Sequence, residues 1–260
     1  ILLEARGTGA DVVLNADLES GSGHLTVWAA DDVDGNADLA TVDGTVYLLA
    51  NNNDESTAPA DGVNLAGGTQ LSSGSGNVRI VATGESDIHL NDIQAGTGSV
   101  SLLAERDILD NNGAAINVTA ATLRMVADSD LDEAGIIGGT DPGAAAGTNV
   151  NAIDTEVETL AAKSADGIYV EEASDVRIDL TGDLGIEQVN FNSTTSTVTD
   201  TSLSDLETTD AGSIKVVALA GTITVNEGDA DDTGVIAATT GAILLEARGT
   251  GADVVLNADL

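Results

Sequence analysis

Acidic side chains are the groups in this sequence with the greatest capacity to bind a ligand. The chain has 44 aspartate and glutamate residues against 8 lysine and arginine residues, and three stretches place oxygen-bearing side chains at nearly alternate positions. Carboxylate and amide oxygens are the ligands that Ca²⁺ prefers. These stretches predict calcium ligands at Asp31, Asp32, Asp34, Asn36, Asp38, Asp128, Asp130, Asp132, Glu227, Asp229 and Asp231.

Solvated acidic corners are the alternative interpretation of the same stretches. Counted from Asp32, the glycine at Gly35 comes two places earlier than the glycine of an EF-hand loop. The nonapeptide of calcium-binding repeats-in-toxin proteins is absent from the sequence. Because charge runs are more often a solvated face than a metal site, the sequence favours solvated corners and keeps bound Ca²⁺ as the second interpretation.

Residues suited to catalysis are few. The chain has only two histidines, His24 and His89, and both are expected to face solvent on different coil faces. Polysaccharide lyases and hydrolases built on β-helices need clustered charged groups and usually aromatic platforms, yet this chain has 1 Trp, 2 Tyr and 1 Phe. It also contains no phosphate-binding glycine loop, nucleophile elbow or metalloprotease pair. The sequence predicts a protein that is not an enzyme.

The net charge restricts the partners. At -36 the chain repels nucleic acid and anionic membrane surfaces, and it stays soluble as a long polymer. No run of apolar residues approaches the length that a transmembrane helix needs. We therefore expect no nucleic acid partner and no membrane insertion.

A seven-residue pattern indicates the elements that position these groups. A glycine or small residue is followed by apolar residues at the second, fourth and sixth places, which is the period of a β-strand. The shorter steps between its occurrences are 19 to 23 residues, typical of one solenoid coil. The pattern occurs at residues 23–29, 44–50, 76–82, 98–104, 121–127, 155–161, 174–180, 212–218 and 241–247.

This spacing predicts an all-β parallel β-helix, or β-solenoid, with about nine coils. Long loops are expected to leave the rod at residues 51–61, 128–150 and 191–209. A string of immunoglobulin-like or cadherin-like sandwiches is the competing architecture, but it usually needs a core Trp or Tyr, and most of the few aromatics here are expected to point outward.

A long duplication sets the domain organisation. Residues 1–18 (ILLEARGTGADVVLNADL) recur letter for letter as residues 243–260. We expect residues 1–242 to form one full repeat and residues 243–260 to begin the next in a continuous solenoid. Nine strands stacked at roughly 4.8 Å predict a rise of about 43 Å per repeat.

Two stretches resemble the repeats of filamentous-haemagglutinin-like giant adhesins of bacteria. They are residues 74–110 (GSGNVRIVATGESDIHLNDIQAGTGSVSLLAERDILD) and residues 149–170 (NVNAIDTEVETLAAKSADGIYV). The resemblance implies a right-handed β-helix, secretion to the bacterial cell surface, and a role in adhesion or in a biofilm matrix. It implies no particular ligand.

An apolar row flanked by basic residues is predicted on the outside of the coils. Such a row is costly to expose, so either loops of the same chain cover it or a second rod docks there laterally. The predicted lateral interface comprises Trp28, Leu49, Arg79, Val81, Leu103, Arg124, Val126, Arg177, Lys215 and Val217.

These features predict a structural or adhesive extracellular filament or stalk segment of a giant repeat surface protein. Its partners would be neighbouring repeats, other rods, and host or matrix surfaces. A calcium-stiffened surface-layer or matrix module is the alternative function, and a polysaccharide-processing β-helix enzyme is the third.

Overall fold

A computed structural model has the predicted fold, an all-β parallel solenoid. It describes residues 1–51, 62–128, 135–139, 150–230, 232–238 and 240–260. Within these ranges 25 strands join one sheet of parallel pairs, and two further strands form an antiparallel hairpin. No helix in the described ranges is long and apolar enough to cross a membrane.

The strands are β1 (Leu2–Ala5), β2 (Val12–Leu14), β3 (Leu18–Glu19), β4 (Leu25–Ala29), β5 (Val33–Gly35), β6 (Leu39–Ala40), β7 (Val46–Ala50), β8 (Gly62–Leu65), β9 (Gln70–Ser72), β10 (Val78–Ala82), β11 (Asp87–Leu90), β12 (Asp92–Gln94), β13 (Ser99–Ala104), β14 (Ile108–Asp110), β15 (Val118–Val126), β16 (Ile136–Ile137), β17 (Ile153–Ser164), β18 (Gly167–Glu172), β19 (Val176–Ile178), β20 (Leu184–Val189), β21 (Thr195–Asp200), β22 (Leu206–Thr208), β23 (Ser213–Ala218), β24 (Ile223–Val225), β25 (Val235–Ala237), β26 (Ile243–Ala247) and β27 (Val254–Leu256).

Each coil has three faces, and the same face stacks from coil to coil. The broad face is the column of β1, β4, β7, β10, β13 and the second halves of β15 and β17. The second face stacks β2, β5, β8, β11, β14 and β16. The third face stacks β3, β6, β9, β12 and the first halves of β15 and β17.

The alternating apolar residues of the pattern fill the inside of the rod. On the broad face Ile80 lies between Leu48 and Leu102, and all three are fully buried. Burying a side chain of this size contributes about 1.5–3 kcal/mol. Because like residues stack in register, one continuous apolar core runs along the solenoid.

Stacked glycines form the corner before the broad-face strands β4, β7, β10 and β13, which explains why the pattern begins with glycine. A Cβ on Gly76 would lie 2.0 Å from the carbonyl oxygen of Gly44, and one on Gly98 would lie 2.4 Å from that of Gly76. Where β15 runs straight through this corner, Ala121 stands in the place of the glycine.

The cross-section is divided differently beyond β17. Strand β18 pairs first with β16 and then with the start of β17, so it covers the second and third faces in one straight run. The broad face divides instead, with β19 on Thr159–Leu160 and β22 on Ala162–Ser164. Residues 174–180 and 212–218 share the seven-residue pattern, but they do not stack on each other, since β23 stacks on β18 and β24 stacks on β19.

This division places the two copies of the duplicated segment on opposite sides of the rod. β1 belongs to the broad face, whereas β26, its identical counterpart, stacks on β23 and β18 over the other two faces. Eight pairing steps lead from β2 to β26. With the half-turn offset, one 242-residue period makes about eight and a half coils, or about 41 Å.

The predicted loops have different outcomes. Residues 52–61, 129–134 and 140–149, which make up most of two of them, lie outside the described residues. The third does leave the coils, but as a folded antiparallel hairpin of β20 and β21 that begins before residue 191 and lies back across the broad face.

Candidate functional site

The β20–β21 hairpin covers the outer side of the broad face. Leu184 and Ile186 of the hairpin are buried against Tyr47 and Val81 of the coils. Leu49, Leu103 and Val198 pack around this second apolar cluster. The hairpin therefore gives the outward apolar residues of β7, β10 and β13 a cover made by their own chain.

Hydrogen bonds align β20 along the axis of the rod. The Asn77 Nδ2 donates to the Gly185 carbonyl at 2.8 Å. One coil earlier, Thr45 Oγ1 accepts from the Glu187 N–H and donates to its carbonyl, both at 3.0 Å. Another coil earlier, the Val189 N–H donates to Thr26 Oγ1 at 2.9 Å. The hairpin thus advances two residues per coil toward β1.

A buried ion pair holds the other hairpin strand. Asp200 accepts from Nε and Nη2 of Arg79 at 2.9–3.0 Å, and the side chains are 11% and 6% exposed for Arg79 and Asp200. The Arg79 guanidinium also lies 5.0 Å from the centroid of the Tyr47 ring. Arg124 donates from Nε to the Thr201 carbonyl at 3.1 Å. Burial lowers the pKa of Arg124, and the nearby Asp200 carboxylate opposes that shift.

These positions correct the idea of a single outward row for docking a second rod. Arg79, Val81 and Arg124 already contact the hairpin or lie beneath it, so they cannot meet another rod while the hairpin is in place. Lys215 and Val217 belong to β23, which stacks on β18 over the other two faces. Arg177 belongs to β19, which continues part of the broad face beside Thr159, beyond the coils that the hairpin covers. Trp28 and Val126 stay half-buried on the broad face.

The first predicted calcium stretch does not wrap around one point. Val33–Gly35 form β5, and an extended strand advances about 3.3 Å per residue, so Asp31 and Asp38 lie at opposite ends of it. Asp34 points outward from the strand, and the Asn36 amide donates to Asn15 Oδ1 at 3.2 Å. The linear spacing therefore does not gather these oxygens.

Carboxylates from two adjacent coils lie closer together than the carboxylates along this one stretch. Asp11, Asp31 and Asp32 place carboxylate oxygens within 4.8 Å of one another, the only such group of metal-ligating side chains found in the described residues. Asp11 comes from the preceding coil, and no sequence pattern singled it out. Asp31 is buried and Asp11 is exposed.

The remaining predicted ligands are dispersed. Asp128 is buried at a corner, and Glu227 and Asp229 are exposed after β24. Asp130, Asp132 and Asp231 lie outside the described residues.

Many corner aspartates have a structural role instead. Their carboxylates accept the backbone N–H of the next coil, a bond that sequence analysis missed because donor and acceptor are 20 or more residues apart. Such charge-assisted bonds also account for part of the acidic composition. The pairs are Asp11 with Asp32, Asp17 with Asp38, Asp32 with Gly62, Asp38 with Gln70, Asp87 with Asp107, Asp107 with Ile136, and Asp175 with Thr222.

A second group of carboxyls is buried where β17 meets β18. Asp154 lies beside Glu171 across the strand pair, and both are buried. Burial raises the pKa of Asp154 to about 7, and the charges of Glu171 and Asp110 add to the increase. The Asp154 Oδ2 has no hydrogen-bond partner among the described residues.

Neither histidine lines the groove that the structure forms at the third face. His24 bonds Thr45 at 3.0 Å under the hairpin edge, and His89 Nε2 lies 4.0 Å from Asp87 Oδ2. The groove, of about 920 Å³, is lined by both polar and apolar residues, and its lining contains no lysine, arginine, histidine or aromatic ring. Its side chains include Asp38, Gln70, Asn91, Asp92, Asn111 and Asn112.

Comparisons of the chain with protein-family models, with curated proteins and with solved structures find no match.

Proposed function

We propose that this chain is a structural length of an extracellular filament, part of a giant repeat protein at a bacterial cell surface. The observation that carries the proposal is that the two copies of the duplicated segment pair along opposite edges of their strands. Strands β1 and β2 pair with β4 and β5 of the following coil, whereas their identical counterparts β26 and β27 pair with the preceding strands β23 and β24.

If one copy of the duplicated coil made both sets of pairs, consecutive repeats would stack without a gap between them. The same coil has one edge that fits β23 and β24 and another that fits β4 and β5. Parallel solenoids grow by this stacking of each coil on the one before it.

A ladder of amide side chains passes through the same coil. Asn226 donates to Asp179 at 2.8 Å, and Asn257 donates to Asn226 at 2.9 Å. Asn36 donates to Asn15, the counterpart of Asn257, at 3.2 Å. All three amides donate toward the preceding coil, so the ladder would continue without reversal across the junction.

The experiment is to image proteins of one, two and four repeats by electron microscopy. We expect a single straight rod that lengthens by about 41 Å for each added repeat. Globular bodies joined by linkers, or a much longer increment, would overturn the filament. The adhesive part of the proposal is tested by binding of these rods to host-cell and matrix surfaces, and absence of binding would leave a purely structural stalk.

Calcium stiffening is the second candidate, favoured by the Asp11, Asp31 and Asp32 group. Ca²⁺ should then raise Tm, and Asp11→Asn should abolish the increase. Asp17→Asn is the matched control, because Asp17 caps the next coil in the same way outside the group. An equal Tm with Ca²⁺ and with chelator would exclude this candidate.

A further inference from the structure

The tip of the hairpin carries the most exposed large apolar side chain of the described residues. Phe191 is 83% exposed, in the turn between Asn190 and Thr194. An aromatic ring in water at the end of a well-anchored hairpin is costly to leave uncovered. No other part of the described chain covers it.

The direction of the hairpin shows which surface the tip approaches. Gly185, Glu187 and Val189 bond to the coils of β10, β7 and β4 in turn. At two residues per coil, Phe191 reaches the level of β1, and the rest of the turn extends past it. The turn therefore points past the free edge of β1. In β26, the identical copy of β1, the same edge pairs with β23.

The second copy identifies the residues that would stand there. Leu244, the counterpart of Leu2, lies beside Lys215, which lies beside Tyr169. Lys215 lies between strands on both sides of it, and both Lys215 and Tyr169 are still partly exposed. A leucine, the stem and ammonium of a lysine, and a tyrosine ring form a surface suited to a phenylalanine ring, through apolar contact and a cation–π interaction.

We propose that the hairpin is a clasp between repeats, with its tip docked on the last coils of the preceding copy at Lys215 and Tyr169. This inference rests on the filament proposed above. Because the two copies of the duplicated segment lie on opposite sides of the rod, successive clasps alternate from side to side about every 41 Å.

The test uses a two-repeat protein, in which only the second hairpin has a preceding neighbour. The sequence has no cysteine, so two introduced thiols are unambiguous. We expect a short bis-maleimide to join Phe191→Cys of the second repeat to Lys215→Cys of the first. The matched control exchanges the repeats, placing Phe191→Cys in the first and Lys215→Cys in the second, and should not cross-link within one molecule.

Phe191→Ala measures how much the docked ring stabilises the junction between repeats, and the same substitution in the first repeat is its control. In the second repeat it should speed amide exchange in the junction strand, the copy of β1, by about tenfold. The same change in the first repeat should have no effect there.

Electron microscopy of the same protein separates the two proposals. A single rod that neither cross-links nor responds to Phe191→Ala overturns the clasp alone, whereas two separate bodies overturn the filament and the clasp with it.

Discussion

Removing the charge of Asp200 should open the hairpin while the coils stay folded. Asp200→Asn leaves Arg79 buried without its counter-ion and removes a negative charge that favours the charged form of Arg124. Loss of one partner of a buried pair costs about 3–5 kcal/mol. We expect about 3 kcal/mol, since the amide oxygen still accepts one hydrogen bond.

This cost is comparable with the apolar anchoring of the hairpin. Leu184 and Ile186 are the two buried apolar side chains of the hairpin, and their burial together stabilises its docking by about 3–6 kcal/mol. The lost ion pair therefore removes a large part of what holds the hairpin down. The core inside the coils makes none of these contacts, so its stability should change little.

Amide hydrogen exchange measures this opening residue by residue. Exchange at Ile186 and Val198, opposite each other in the hairpin, should accelerate by about 100-fold, and exchange at Ile80 in the coil should not. Asp210→Asn is the control, with the same charge change at an exposed residue away from the hairpin. Replacing both partners, Arg79→Met with Asp200→Leu, should recover much of the protection.

Unchanged exchange at Ile186 in Asp200→Asn would refute the anchoring role of the pair. Equal acceleration at Ile186 and Ile80 would refute the independence of hairpin and coils.

Two further predictions concern the coils themselves. Because the folded-state pKa of Asp154 is raised to about 7, its contribution to stability is present below about pH 4 and is lost as the pH rises through 7, by at most about 4 kcal/mol. Asp154→Asn should flatten this loss and be the more stable protein at pH 8 in urea unfolding, and a pH dependence equal to that of Asp210→Asn would contradict the assignment. Gly98→Ala should lower Tm by several degrees, since its Cβ would lie 2.4 Å from a carbonyl oxygen and overpacking costs about 1–3 kcal/mol. Gly21→Ala, with nothing within 4 Å of the added Cβ, should leave Tm unchanged, and equal effects of the two substitutions would exclude the stacked-corner explanation.

The regular parts of the fold were predictable because they depend on local alternation. Residues two apart along a strand point the same way, so the pattern around Ile80 already assigns inward and outward side chains. The glycine that precedes it was visible for the same reason. Its cause, the carbonyl of the coil below, was not, because that contact joins residues about 30 positions apart.

The hairpin was only partly predictable. Residues 195–200 (TSTVTD) are polar enough to read as a loop, and most of them stay exposed. Only Asp200 is buried, and its burial depends on Arg79, which lies 121 positions away. Likewise, nothing local to Asp154 indicates that Glu171 will stack beside it.

By itself, the sequence determined that this protein is a stack of short parallel strands with a duplicated coil and an acidic surface. These are properties of period, repetition and composition, which need no knowledge of long-range contacts. Only the tertiary structure decided that the broad face is covered by its own hairpin, that corner aspartates cap the next coil, and that the duplicated coil returns on the opposite side of the rod. The physical reason is that each depends on which coil lies above which, and loop lengths between coils vary too much for sequence spacing to specify it.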